Sequence, residues 1–200
     1  DREKCDKISN GISPFFEPEL EKILKNGLKK KLKISNDFSL IKECDVIFVT
    51  VGTPQNDDGS IDLTIIKKAI STIGKNLLNS KNKPIIFIKS TVIPGTIKKI
   101  ILPILEKKSN KKDGKDFGLI SNPEFLQEST AIKDTKFPHV VVLGSEQNEY
   151  LKKAKKFFIR LHPNVPIIST NHQTAEMIKY ANNSFLATKI SFINQLSNIC

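Results

Sequence analysis

Two carboxylates stand close together in the segment 121–128, which reads Ser-Asn-Pro-Glu-Phe-Leu-Gln-Glu. Glu124 and Glu128 are four residues apart, and Phe125 and Leu126 lie between them. Carboxylates beside apolar side chains are suited to acid/base catalysis, because partial removal from water eases proton transfer near neutral pH. Acidic residues that stabilise the dipole at the start of a helix are the alternative explanation of Glu124.

Two earlier segments combine glycine, hydroxyl and lysine groups. Gly52 and Thr53 follow an apolar run; the glycine allows a close backbone approach, and the threonine offers a hydroxyl and an N–H to a phosphate or ribose. The segment 89–96, Lys-Ser-Thr-Val-Ile-Pro-Gly-Thr, could hold an anion at the start of a helix. Both segments are also compatible with ordinary βα turns, in which hydroxyls bond to loop backbone and Thr96 caps the helix.

A fourth candidate lies near the carboxyl end of the chain. Lys179 and Asn183 are four residues apart and share one helical face with Ala187 and Ile190. A lysine and an amide on an otherwise apolar face would form a clamp for an oxyanion. The chain has 32 basic residues, so a solvated surface lysine is the alternative explanation of Lys179.

The elements that must position these groups alternate between short apolar runs and longer helical patterns, which indicates an α/β fold with a doubly wound parallel sheet. Ligands bind at the carboxyl ends of the strands in such sheets, where the candidate loops lie. We predict strands at 45–51, 85–88, 117–120, 140–143 and 165–168, with a short edge strand at 32–34. We predict helices from residue 17 and at 65–78, 97–106, 146–161 and 174–200. The pattern changes near residue 170, so we expect one domain over 1–170 and a second beginning with the helix in 171–200.

Composition excludes several classes of protein. No run approaches the ~20 apolar residues that cross a bilayer, so we expect no membrane span. The formal net charge is +11, but all basic residues except Arg2 and Arg160 are lysines, which lie on the outer faces of several helices. With no Trp and two Tyr, a nucleic-acid-binding module is disfavoured. Three widely spaced cysteines form no disulfide framework or metal-ligand set, which favours the reducing cytoplasm.

Five motifs occur together in a fixed order, and this order is more specific than any one of them. With them the chain resembles the UDP-glucose/GDP-mannose dehydrogenase family over essentially all of its 200 residues. The motifs are Asn-Gly-Ile-Ser-Pro at 10–14 with Glu-Pro at 17–18, Val-Gly-Thr-Pro at 51–54, the segments 89–96 and 121–128, and the run 176–187.

The resemblance implies a Rossmann-like domain that uses NAD to oxidise the C6 alcohol of a nucleotide sugar to a carboxylate in two hydride transfers, through a cysteine thiohemiacetal and thioester. It implies that NAD is contacted by Lys4, Thr53, Thr91 and Glu128. It implies that the sugar nucleotide is contacted by Glu124, Phe125, Leu126, Gln127, Glu128, Lys179 and Asn183. In the catalytic steps, Glu124 would activate the hydrolytic water and Thr91 would position water. Lys179 and Asn183 would stabilise the oxyanion.

The chain departs from the family pattern at three places. The Gly-rich dinucleotide loop with its first strand and helix is missing before Asp1, and the Gly-Gly-x-Cys motif of the nucleophile is missing too. Cys200 lies on an apolar helical face and is expected to act as a small hydrophobe. The family's usual Pro-Asp-Arg before the fourth strand reads Pro138-His139-Val140 here, so any role of that arginine is lost or moved. We therefore expect these 200 residues alone to be inactive, and the full-length protein to dimerise through the helix that begins near Thr174.

The motifs leave the sugar open. The run Lys-Ile-Ser-Phe-Ile-Asn at 189–194 favours UDP-glucose. UDP-N-acetylmannosamine, UDP-N-acetylglucosamine and GDP-mannose remain alternatives, as does an inactive or purely structural homologue.

Overall fold

A five-stranded sheet forms the centre of the computed structural model, which describes residues 2–199. Its strands follow one another in chain order: β1 (Val46–Val49), β2 (Ile85–Ile88), β3 (Gly118–Ser121), β4 (Val141–Gly144) and β5 (Ile167–Thr170). β1, β2 and β3 are parallel, as are β4 and β5. β3 and β4 meet in antiparallel orientation at a single residue pair. The prediction of a wholly parallel sheet is wrong at this junction, because the connection contains only a six-residue helix and no full crossover helix.

Seven α-helices surround the sheet within residues 2–199. They are α1 (Arg2–Ser9), α2 (Leu20–Leu28), α3 (Thr64–Leu77), α4 (Leu102–Ser109), α5 (Ala131–Lys136), α6 (Asn148–Leu161) and α7 (His172–Ser197). A 3-10 helix at Phe38–Glu43 precedes β1, and a π-helical turn at Ile97–Ile101 leads into α4. None of the helices in this part of the chain combines the length and apolarity that crossing a bilayer requires.

The core has two layers because successive side chains of a strand point to opposite faces of the sheet. Ile86 and Ile88 of β2 pack in the layer that includes α3 and α4. Phe87, which lies between them in sequence, packs on the other face against α6. The apolar stripe predicted for α3 is buried at Ile66, Ile70, Ile73 and Leu77, whereas its members Ile65 and Leu78 are about half exposed.

Most predicted elements are present, with ends shifted by at most three residues, and β2 lies where it was predicted. The edge strand predicted at 32–34 is wrong: the segment is not a strand, and no strand among residues 2–199 lies beside it to supply the backbone bonds. α1 was not predicted, because this polar helix buries no residue and so has no apolar stripe. α7 ends at Ser197, and the prediction for Cys200 lies outside the described residues.

Close packing against β4 fixes the start of α7. The Asn171 side chain accepts a hydrogen bond from the Thr174 N–H at 2.8 Å and caps the helix. Gly144 at the end of β4 lies so near the helix that a Cβ there would stand 2.5 Å from the Asn171 carbonyl oxygen and 2.6 Å from the Ala175 Cβ. α7 therefore leaves the sheet from a fixed point, and this sets where its later side chains lie.

Candidate active site

Two of the candidate loops are bonded to each other. β1 and β2 are parallel neighbours, so their carboxyl ends lie side by side. The Thr53 hydroxyl after β1 donates to the Thr91 carbonyl oxygen after β2 at 2.7 Å. The Ser90 hydroxyl donates in the opposite direction, to the Val51 carbonyl oxygen, at 2.6 Å. The two threonines that the resemblance assigns to NAD are therefore held together.

α7 is bonded to the far end of the loop after β2. The carboxylate of Glu176 accepts the Ile97 N–H at 2.8 Å and the Gly95 N–H at 2.5 Å. The Glu176 residue is 3% exposed. Burial raises the pKa of its carboxyl, and the two backbone N–H groups oppose that rise.

One turn further along α7, Lys179 pairs with the carboxylate loop. Its Nζ lies 3.0 Å from Oε1 of Glu124, and the two side chains are 6% and 30% exposed. The same ammonium lies 5.3 Å from the centre of the Phe125 ring, within the range of a cation–π contact. Oε2 of Glu124 accepts the Leu126 N–H at 2.6 Å. Both oxygens of Glu124 are thus bonded, so the carboxylate has a fixed orientation at the end of β3.

A second lysine stands near this pair. Nζ of Lys89, at the end of β2, donates to Oδ1 of Asn122 at 3.2 Å. The buried Asn122 amide donates to the Val142 carbonyl oxygen at 2.9 Å, which turns its oxygen toward the lysine. Burial lowers the pKa of Lys89 to about 8; the nearby Glu124 carboxylate opposes this change, and the Lys179 ammonium adds to it.

We expect Lys89→Met to change how stability depends on pH. The cost of burying this charge is present below about pH 8 and disappears between about 8 and 10.5, because the unfolded chain then holds a proton that the folded protein has released. The unfolding free energy of the wild type should therefore rise relative to Lys89→Met across that interval. The rise should be on the order of 3 kcal/mol, at roughly 1.4 kcal/mol per pKa unit. Urea denaturation at several pH values measures it.

The control for this experiment is Lys155→Met, which removes an exposed lysine from α6. The stability difference between the wild type and that variant should not change over the same pH interval. A difference between the wild type and Lys89→Met that is equally flat would show that Lys89 titrates as it does in the unfolded chain.

A pocket of about 280 Å³ opens beside the carboxylate loop; we call it the Glu124 pocket. Glu124, Phe125 and Leu126 line it together with Lys89 and His139. The imidazole of His139 packs edge-on against the Phe125 ring, with centroids 5.6 Å apart. His139 and Val140, which stand in place of the Asp-Arg of the family's pattern, thus both line the same pocket as the predicted acid/base residue.

An open cleft of about 510 Å³, here called the threonine cleft, lies on the α7 side of the two bonded loops. Thr53, Thr91 and Asn183 line it, together with Tyr180. Gly52 precedes Thr53, and a Cβ built on it would meet no atom within 4 Å. The backbone here is open to a close approach by a ligand, as a dinucleotide site requires.

The predicted residues thus divide into three groups. The first comprises residues at the Glu124 pocket or bonded to Glu124: Glu124, Phe125, Leu126 and Lys179. The second lines the threonine cleft: Thr53, Thr91 and Asn183. Lys4, Gln127 and Glu128 are exposed and line neither space. The Gln127 N–H instead donates to Asp134 at 3.0 Å.

The predicted clamp of Lys179 and Asn183 is divided between these two spaces. The Lys179 ammonium is bonded to Glu124, whereas the exposed Asn183 lines the threonine cleft. Lys89 was expected only as part of a segment that could hold an anion, and Asn122 and Glu176 had no role predicted from the sequence. A signal for Glu176 was available, because it lies three residues before Lys179 and so on the same helical face.

Comparison with known proteins supports the assignment of the motifs. The NAD binding domain model of the UDP-glucose/GDP-mannose dehydrogenase family matches residues 1–162, and the central domain model of that family matches residues 173–200. UDP-glucose 6-dehydrogenase TuaD of Bacillus subtilis is 44% identical over all of this chain and 42% of its own length. GDP-mannose 6-dehydrogenase of Pseudomonas syringae pv. tomato is 42% identical over 98% of this chain and 45% of its own length.

Solved structures agree with the fold. A ternary complex of GDP-mannose dehydrogenase from Pseudomonas aeruginosa superposes with a TM-score of 0.92 at 38% identity, covering 97% of this chain and 44% of that one. The chain spans less than half the length of the curated relatives it matches. The Rossmann-like α/β fold and the NAD cofactor predicted from the sequence are confirmed. The chain belongs to the UDP-glucose/GDP-mannose dehydrogenase family.

Proposed function

We propose that the protein oxidises the C6 alcohol of UDP-glucose to the carboxylate of UDP-glucuronate, with NAD as hydride acceptor in both steps. The observation that carries this proposal is the buried Lys179 ammonium on the Glu124 carboxylate, in a chain with the family's NAD-binding domain. An ammonium and a carboxylate held 3.0 Å apart can share the two tasks of the reaction. One stabilises a developing oxyanion and the other accepts or returns a proton.

The chain's own residues have separable roles in this proposal. Glu124, fixed by Lys179 and by the Leu126 N–H, receives the proton of the attacking water. Lys179 provides the positive charge for the alkoxide and for the tetrahedral species. Phe125 and Leu126 form the apolar wall that limits the access of bulk water. We propose that the nucleophilic thiol of the family's reaction lies outside these 200 residues, and that the central domain begins near residue 170.

We propose that NAD binds along the threonine cleft. Thr53 and Thr91 line this cleft with their loops already bonded to each other, and the open side of Gly52 lets a ligand reach the backbone. When bound, NAD supplies the hydride acceptor. The resemblance adds Lys4 and Glu128 as NAD contacts and Gln127 as a sugar-nucleotide contact; all three are exposed and remain proposals.

GDP-mannose is the second candidate substrate. It is favoured by the 42% identity to the Pseudomonas syringae GDP-mannose 6-dehydrogenase and by the solved Pseudomonas aeruginosa structure. UDP-glucose is favoured by the 44% identity to TuaD and by the run at 189–194. The two sugar nucleotides differ in base and in sugar stereochemistry, so one experiment can separate them.

The test is turnover by the enzyme expressed from its complete reading frame. NADH formation is followed with UDP-glucose, GDP-mannose, UDP-N-acetylmannosamine and UDP-N-acetylglucosamine. We expect the highest kcat/KM with UDP-glucose and two NADH formed for each sugar consumed. A higher kcat/KM with GDP-mannose would replace the substrate, and no NADH with any of the four would refute the proposed reaction.

We further propose that the full-length protein is a cytoplasmic homodimer that pairs through α7. The second half of this helix exposes a series of large apolar side chains, namely Phe185, Leu186, Ile190, Phe192, Ile193 and Leu196. Large exposed apolar patches mark interaction surfaces. A monomeric mass in light scattering of the full-length protein would contradict this arrangement.

A further inference from the structure

The buried carboxylate of Glu176 accepts hydrogen bonds from two backbone N–H groups that are far away in sequence. It lies 81 residues from Gly95 and 79 residues from Ile97, the two residues whose N–H groups it accepts. Both groups belong to the turn that begins the helix after β2, where N–H donors have no partner within the helix. A buried carboxylate is unfavourable unless it is bonded in this way. The contact is therefore a specific connection between α7 and this loop.

The same face of α7 reaches a second loop. Glu176 and Lys179 are three residues apart, which places them about 4.5 Å apart along the helix axis at 1.5 Å per residue. Glu176 holds the end of the loop after β2, and Lys179 holds Glu124 in the loop after β3. One rigid helix thus fixes the separation of the two loops. Strand pairing fixes only the first residues of each loop.

The loop after β2 is held at its other end as well. Ser90 is bonded to Val51, and the carbonyl oxygen of Thr91 accepts the hydroxyl of Thr53. Thr91 therefore lies in a segment whose beginning is fixed by the loop after β1 and whose end is fixed by Glu176. Without the Glu176 carboxylate, only the first of these two attachments remains.

We infer that Glu176 is a positioning residue, which sets the loop that carries Thr91 at the distance from the Lys179–Glu124 pair at which NAD and the sugar nucleotide meet. The inference rests on the proposed function for the meaning of the two loops. It makes a prediction about NAD affinity that does not require turnover. If Glu176 only stabilised the fold, its substitution would lower the stability of the protein and leave the affinity for NAD unchanged.

The experiment uses the protein expressed from its complete reading frame and measures the Kd of NAD by calorimetry, beside kcat and KM. Glu176→Ala removes both acceptors. Glu176→Gln keeps the volume and one acceptor oxygen but turns a donor toward the second N–H. We expect the Kd of NAD to rise about tenfold in the alanine variant, which corresponds to roughly the loss of one good hydrogen bond. We expect a smaller rise in the glutamine variant and less than a threefold change in the KM of the sugar nucleotide.

Two further variants separate positioning from general destabilisation. Leu77→Ala creates a cavity at the end of α3, which leads to the start of β2, whereas the candidate loops follow the opposite, carboxyl ends of the strands. It therefore lowers Tm without removing a hydrogen bond of these loops. Its Kd for NAD should match that of the wild type. The variant pair Glu176→Ala and Thr91→Ala should be less than additive in Kd, because both act on one loop.

An unchanged Kd in Glu176→Ala, an equal rise in Leu77→Ala, or full additivity with Thr91→Ala would overturn the inference. A wild-type protein that binds NAD but oxidises none of the sugar nucleotides would refute the proposed function alone, since the Kd comparison would still decide the role of Glu176.

Discussion

Lys179→Met is expected to lower kcat of the full-length enzyme by roughly 10²–10³, the usual loss when one donor to a developing oxyanion is removed. Methionine has nearly the length of lysine and is apolar, so it fills the same buried space between α7 and the carboxylate loop. The variant removes the charge and leaves little cavity. The change in kcat therefore reports on the ammonium itself.

The same substitution is expected to lower stability, because it leaves the Glu124 carboxylate without its cation. Breaking a fully buried ion pair costs about 3–5 kcal/mol. Glu124 is 30% exposed and keeps the Leu126 N–H, so we expect a smaller loss of about 2 kcal/mol. Urea denaturation measures this loss, and NADH formation with saturating sugar nucleotide and NAD measures kcat.

Lys155→Met is again the matched control, since it removes a lysine from an exposed helix face. It should leave kcat within twofold of the wild type and stability within about 0.5 kcal/mol. Lys179→Arg keeps the charge but not the compact ammonium, so it should restore most of the stability and only part of kcat. A kcat of Lys179→Met equal to that of the wild type would remove Lys179 from the catalytic machinery.

The fold could be predicted from local pattern to a large extent. β1 to β5 are four-residue segments in which at least two residues are Val, Ile, Leu or Phe, and α3 and α6 have apolar stripes, so the hydrophobic pattern alone located them. The antiparallel junction of β3 and β4 could not be predicted in this way, because strand direction depends on the path of the connection and not on the residues of either strand. α1 left no hydrophobic period to detect.

The candidate site could be predicted only in part, for a different physical reason. Parallel strands end at one edge of a sheet, so the meeting of Thr53 with Thr91 followed from topology. The contact of Glu124 with Lys179 joins residues 55 positions apart. Both residues were expected to contact the sugar nucleotide, but no contact between them was predicted. Glu176 and Lys89 depend on side-chain contacts made by packing, which hydrophobic period does not encode.

Gly52→Ala is expected to raise the Kd of NAD at least about tenfold while leaving the free energy of unfolding within about 0.5 kcal/mol of the wild type. A Cβ at this position meets no protein atom within 4 Å, so the folded chain accommodates the methyl group without rearrangement. The backbone of Gly52 is outside the left-handed region, so alanine brings no conformational strain. Any large effect must then arise from a ligand that approaches the backbone more closely than the methyl group allows.

Gly27→Ala in α2 is the matched glycine substitution away from both candidate spaces. Its added methyl group meets only the flexible side chain of Leu32, at 3.3 Å, and should leave the Kd of NAD unchanged. Calorimetric titration of NAD into both variants, with urea denaturation alongside, separates the two properties. If Gly52→Ala bound NAD as tightly as the wild type, the dinucleotide would not pass over this loop, and the threonine cleft would lose its assignment. If Gly52→Ala instead lost stability in proportion to affinity, the methyl group would be colliding with protein and not with cofactor. Only loss of affinity at constant stability places NAD against the backbone between Val51 and Thr53.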